Sequence, residues 1–330
     1  MGSEKMQKNI TVDELKKLLI ENIENTSSMQ VYFILKVNDA FVLRLADIEN
    51  EKTAPALKDI FLGYLQDKII DNDEVTLKDL SVAEECPGRI YHYDYEEYPD
   101  ALEIIKSFDI KRSKEEHHIF DFENDELRNL FGFLIYIGSM ESGITLFKKH
   151  YPISLIKRDS FLLGTIKSKT RFEKLEGEDI LRLNGEVQIF STNHDIYILD
   201  TNVLEKFMGF TKMIYKSAEE ALVEIEALDL IEDMEVLRDD IEDIKFARKL
   251  SRIQKTSPVF SMGITRDRII HFTKNTKVLN GKFKYSDDGK SIRLDTKKSK
   301  LEFIKLLNDD YLISELTDKY YETNSKDSLT

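Results

Sequence analysis

At 330 residues, with 41% hydrophobic and 10% aromatic side chains, the chain holds apolar material for two domains with their own cores, which excludes an intrinsically disordered protein. A formal charge of −14 and a pI near 5.1 exclude wrapping of a polyanion by the whole surface, so any nucleic-acid site must be local. The single cysteine, Cys86, excludes an internal disulfide and a cysteine zinc cluster and suits a reducing cytoplasm.

In chain order, Thr11 and Glu14 make a capping box for a helix whose apolar face is Leu15, Leu18, Leu19 and Ile23. The polar N-terminus ahead of it carries no secretory signal. Two β-rich runs, 30–36 and 40–48, meet at Asn38-Asp39 as a hairpin. A helix is expected over 54–70, a strand in the aromatic run RIYHYDYEEY (89–98) and a third helix over 100–108. These elements form a small N-terminal α/β domain, 1–112, and the polar run 111–118 (KRSKEEHH) reads as a linker. From 113 to 330 the expected domain starts with short strands at 131–137, 144–147, 180–183, 187–190 and 195–199, a mostly antiparallel sheet. Helices over 202–215, 217–228 and 234–256 would add a helical layer, giving an α+β fold. A hairpin at Asp288-Gly289, a helix over 298–307 and a polar tail without periodicity end the chain.

The most informative stretch is 245–282, with ten Lys or Arg and one acid, Asp267. The segment before it, 227–243, reverses the sign, with eight acids and one Arg. Lys245, Arg248, Lys249 and Arg252 lie at i, i+3, i+4 and i+7, so their charges share one helix face, and Ser257-Pro258 ends that helix. Acids early and bases late also suit a helix dipole, and a basic face can be simply solvated. The basic run past Pro258 lies beyond reach of that dipole and favours a polyanion partner. A second basic cluster contains Lys148, Lys149, Lys157 and Arg158.

Motifs for other chemistry are missing. No phosphate-binding P-loop, GxGxxG or nucleophile elbow occurs. The adjacent pair His117-His118 lacks the spacing of a metal site. The acids of 229–243 and Asp309-Asp310 lack the strand-borne acid followed by Glu-x-Lys of a metal-dependent nuclease. The longest apolar run, 130–140, is too short to cross a bilayer.

The C-terminal run LNDDYLISELTDKYYETNSKDSL (Leu307 to Leu329) resembles the end of the KwaB-like family, the soluble component of the bacterial Kiwa anti-phage system. The matching residues are Asn308, Asp309, Asp310, Leu312, Ser314, Leu316, Thr317, Tyr320 or Tyr321, and Lys326. The runs ILDTNVLEKFMGFTKMIYKSAEEALVEI and LFKKHYPISLIKRDSFL are similar to its middle, so the resemblance covers about 115–330. It implies a DNA-binding homodimer that works with KwaA, an integral membrane partner, at the inner face of the membrane to block phage replication and late transcription.

The expectation is therefore a non-catalytic cytoplasmic protein, without cofactor or metal, that holds DNA by its phosphates. Lys245, Arg248, Lys249, Arg252 and Lys255 on the helix, and Arg266, Arg268, Lys274 and Lys277 after it, would supply the contacts. Lys148, Lys149, Lys157 and Arg158 would extend the groove. The alternatives are an interaction scaffold, whose acidic and basic segments pair across a dimer, and a nuclease.

Overall fold

The computed structural model describes residues 10–24, 28–48, 52–82, 88–116, 118–121, 123–151, 163–164, 173–174, 184–192 and 195–322. The capping box forms: Glu14 N donates to Thr11 Oγ1 at 3.2 Å and Thr11 N to Glu14 Oε2 at 2.8 Å. It starts the helix Val12–Glu24, which buries Leu15 and Leu19. The hairpin also forms, between β1 (Ser28–Val37) and β2 (Ala40–Leu45). Asn38 and Asp39 both have positive φ, 49° and 63°, the mirror-image turn whose twist matches the strands.

The remaining strands of the main sheet are β3 (Thr76–Asp79), β4 (Arg89–His92), β5 (Leu130–Gly138), β6 (Gly143–Lys149), β9 (Ile189–Thr192) and β10 (Asp195–Ile198). A separate short pair is formed by β7 (Leu163–Gly164) and β8 (Glu173–Lys174). The order in the eight-stranded sheet is β2-β1-β5-β6-β9-β10-β4-β3, and the pairs from β2 through β10 are antiparallel. The fold is α+β, with a mostly antiparallel sheet.

The sheet runs across the expected boundary at 112, because β1 pairs with β5 in register from Ser28↔Gly138 to Leu35↔Leu130. The segment read as a linker contains a helix, Ile110–Glu116, that buries Ile110 and Ser113. Two compact units result: Met1–Leu77, Gly88–Ile90 and Ile104–Asp200 make the first, and Lys78–Pro87, Tyr91–Glu103 and Thr201–Thr330 the second. One apolar core packs Leu15, Leu19, Phe61 and Leu65 against Phe33, Phe133, Ile135 and Leu146 of the strands. Phe33 sits edge-on to both Phe120 and Phe133, at 5.1 and 5.7 Å between centroids.

The second unit is mainly helical. Helices Thr201–Phe207 and Phe210–Ala227 are separated at Gly209, whose φ of 84° suits glycine, so the break falls earlier than the spacing predicts. The single helix expected over 234–256 is three pieces: Glu235–Arg238, a 3₁₀ turn Asp239–Glu242, and Ile244–Thr256. Asp243 causes the last break. Its backbone is extended and its carboxylate caps Lys245 N at 2.9 Å, an N-cap that favours a new helix over a continued one. Ser257 then ends the basic helix, caps the short Pro258–Ser261 helix and donates from Oγ to Leu307 O at 2.6 Å.

The hairpin at Asp288-Gly289 forms between β11 (Lys284–Tyr285) and β12 (Ile292–Arg293). The tail departs from expectation. After the helix Lys297–Leu307 comes another hairpin, β13 (Tyr311–Ile313) with β14 (Tyr320–Glu322). The expected strand at 180–183 lies outside the described residues.

Candidate nucleic-acid interface

The helix Ile244–Thr256 buries Phe246, Ala247, Leu250 and Ile253, and this apolar stripe turns the opposite face outward. Lys245 and Lys249 are exposed on that face, and Arg248 and Arg252 are half-buried at its edge. All four line one cleft of about 340 Å³ inside the second unit. Its other walls are Leu80, Ser81, Tyr91 and Tyr95 from the earlier segments of this unit, and Glu205, Phe210 and Ile214 from the preceding helices.

One acid stands among the four cations. Arg248 Nη2 donates to Glu205 Oε1 at 2.6 Å. The ammonium groups of Lys245 and Lys249 make no hydrogen bond or ion pair with any described residue, so their charge faces solvent and whatever enters the cleft. Tyr95 packs edge-on to Phe210 at 5.1 Å, and burial pushes its hydroxyl up to about 12, so it stays neutral at ordinary pH. The cleft can hold an anion against a cationic wall and an apolar one.

The other predicted contacts are placed elsewhere. Lys255 turns inward: Nζ donates to Asp94 O at 2.9 Å and sits 3.7 Å over the Tyr95 ring, and desolvation lowers its pKa. Arg266 is engaged by Asp229, and Lys274 by Gly289 O at 2.7 Å and the Tyr285 ring. Arg268 lines a separate apolar groove with Met262, Phe272 and Asp309, and Lys277 lies exposed on a 3₁₀ turn.

Lys148 and Lys149 belong to the first unit and are buried. Lys148 Nζ donates to Glu186 O at 3.0 Å, and Lys149 Nζ to Phe131 O at 2.7 Å and His150 O at 2.9 Å. Burial pulls Lys149 down to about 8. Lys157 and Arg158 lie outside the described residues.

Several acids of 227–243 pair with cations of their own chain. Glu232 pairs with Arg293, Asp240 with Lys300 at 2.8 Å, and Glu235 with Arg238 at 2.6 Å. Among the described residues, no three His, Cys, Asp or Glu come together as a possible metal cluster. No helix there is long and apolar enough to cross a membrane.

Sequence reasoning missed Glu205, Ser81, Tyr91 and Tyr95 as walls of the cleft. The aromatic run at 89–98 signalled burial, but nothing in it showed which helix it would face.

A family model described as "Kiwa protein KwaB-like" matches residues 127–317, more than half of the chain. The chain belongs to the KwaB-like family. It is also similar to the Kiwa protein KwaB of Escherichia coli O55:H7 (strain RM12579 / EPEC), with 28% identity over 323 residues, covering 97% of this chain and 99% of that protein. The similarity therefore runs through the N-terminal residues that the sequence resemblance did not reach. No solved structure matches the chain. KwaB-like membership gives the protein a role in the Kiwa anti-phage defence system, alongside other components of that system.

Proposed function

We propose that this chain is the DNA-holding, non-catalytic component of its Kiwa system. It binds DNA through the phosphate backbone and acts as a homodimer with a KwaA-like integral membrane protein. In the cytoplasm, at the inner face of the membrane, the pair blocks phage replication and transcription. One observation carries the DNA reading: Lys245, Arg248, Lys249 and Arg252 converge on a single cleft, and two of them have no partner among the described residues. Contacts to phosphate carry no sequence information, which suits defence against many different genomes.

The test is binding of a labelled duplex by the full chain across a salt series, with and without Mg²⁺. Four phosphate contacts predict a loss of about a hundredfold between roughly 50 and 200 mM salt. The double variant Lys245→Glu/Lys249→Glu should remove binding while leaving the melting temperature unchanged. Binding that survives the double variant would move the DNA contact away from this helix. Cleavage of the duplex, abolished by EDTA, would make the protein a nuclease.

A scaffold reading is favoured by a different observation. The C-terminal hairpin leaves Leu316 93% and Tyr321 50% exposed, apolar surface that suits a protein partner. Absence of DNA binding at low salt would put that reading first.

A further inference from the structure

A second cavity, of about 280 Å³, lies wholly within the first unit, between the sheet and the segment 105–111. Strand register builds its floor. Tyr136 on β5 is opposite Thr145 on β6, and Thr145 is opposite Ser191 on β9, so three hydroxyl side chains share one face in one row. Thr145 and Ser191 are 7% and 8% exposed, and neither hydroxyl has a hydrogen-bond partner among the described residues. Both hydroxyls line the cavity and stay open to what fills it, so together they offer two donor–acceptor groups to a ligand.

Tyr136 is satisfied, donating to Ser139 O at 2.5 Å, and its ring forms a wall. Gly143 allows this, since a Cβ there would fall 2.5 Å from the Tyr136 ring. Phe108, with its ring centroid 6.0 Å from that of Tyr136, adds a second aromatic wall. The mouth carries Lys106 and Lys111 against Asp109 and Glu141, a balance that gives a charged ligand no advantage. The volume falls just below the range of about 300–1,000 Å³ typical of drug-sized ligands, so the occupant is small.

We propose that this cavity binds a small uncharged ring compound rich in hydroxyls, a nucleoside or a free sugar. Thr145 and Ser191 hydrogen-bond its hydroxyls, and Phe108 and Tyr136 pack against its ring. The site stands apart from the DNA reading, because it uses different residues and a neutral ligand.

Calorimetric titration of the full chain with adenosine, cytidine, thymidine, ribose and glucose tests it, with adenosine monophosphate as the charged control. At least one neutral probe should bind saturably below about 10 mM, and nucleosides against sugars identify the source. The double variant Thr145→Val/Ser191→Ala should weaken that binding about tenfold or more, since each lost hydrogen bond removes part of it. Its melting temperature should hold, because neither hydroxyl bonds another described residue; Thr145→Val alone checks this with a near-identical shape. Failure of every neutral probe would overturn the proposal. So would tighter binding of the monophosphate than of adenosine, or a variant that melts early or binds unchanged.

Discussion

Lys148 and Lys149 close a strand of the first unit, whereas Lys245 and Lys249 open a helix of the second. Both pairs sit in strongly basic runs of sequence, yet their surroundings are opposite. The strand pair is buried, with each ammonium answered by backbone carbonyls, while the helix pair is exposed and unanswered among the described residues. The difference lies in element geometry. Successive strand residues point to opposite faces, so each lysine enters its own environment and lays its stem along apolar neighbours. Helix residues four apart share a face, and an apolar stripe on one side commits the other side to water. Charge density in a sequence measures neither exposure nor availability.

The strongest way to break this comparison is to reverse a charge in each environment. Lys149→Glu would aim a carboxylate at the carbonyl oxygens of Phe131 and His150, costing about 3 kcal/mol or more of stability. Lys245→Glu, in water, should stay within about 0.5 kcal/mol of the parent. Urea unfolding of the two variants decides it, and equal losses would erase the distinction.

A smaller effect sharpens the picture on the helix side. Glu205 is the acid among the four cations of the cleft and accepts from Arg248. Glu205→Gln removes a repelling charge while keeping the shape, so duplex affinity at low salt should rise roughly threefold to tenfold. A fall in affinity would show that Glu205 instead holds Arg248 in place for binding.

The smallest effect is a pH dependence on the strand side. Lys149 titrates near 8 in the folded chain against 10.5 in its ordinary state, because burial disfavours its charge. Between those values the unfolded chain binds more protons, so this group makes stability rise with pH across the window. Below it, both states are protonated and the contribution is flat. Denaturation curves at pH 7.5, 9 and 10 should therefore climb more in the parent than in Lys149→Met, where the increment disappears.

Much of the fold was legible in the sequence where local chemistry decides the outcome. The Thr11 capping box, the Asn38-Asp39 turn, strands β5 and β6, and the stop at Ser257-Pro258 all depend on neighbours a few residues away. The partnership of β1 with β5 does not, and it joins residues about a hundred positions apart; no periodicity in either strand names the other. The long helix expected over 234–256 failed for a local reason, since Asp243 was counted as one acid among eight when its carboxylate is an N-cap. In the candidate site, the i, i+3, i+4, i+7 spacing put four cations on one helix face, and the same four residues line one cleft. The inward turn of Lys255 and the pairing of Arg266 depend on Asp94, Tyr95 and Asp229, contacts that spacing within the basic run does not encode.

The chain passes from one compact unit to the other five times, at 77–78, 87–88, 90–91, 103–104 and 200–201. No single cut can release either unit with its segments complete. A break at 112 would strip β1 from β5 and leave a long apolar strand with an open edge, a template for aggregation. Neither unit is a detachable cassette: each is assembled from segments that lie on both sides of the other in sequence. The similarity to the relative from Escherichia coli runs along 97% of this chain, through the segments of both units alike.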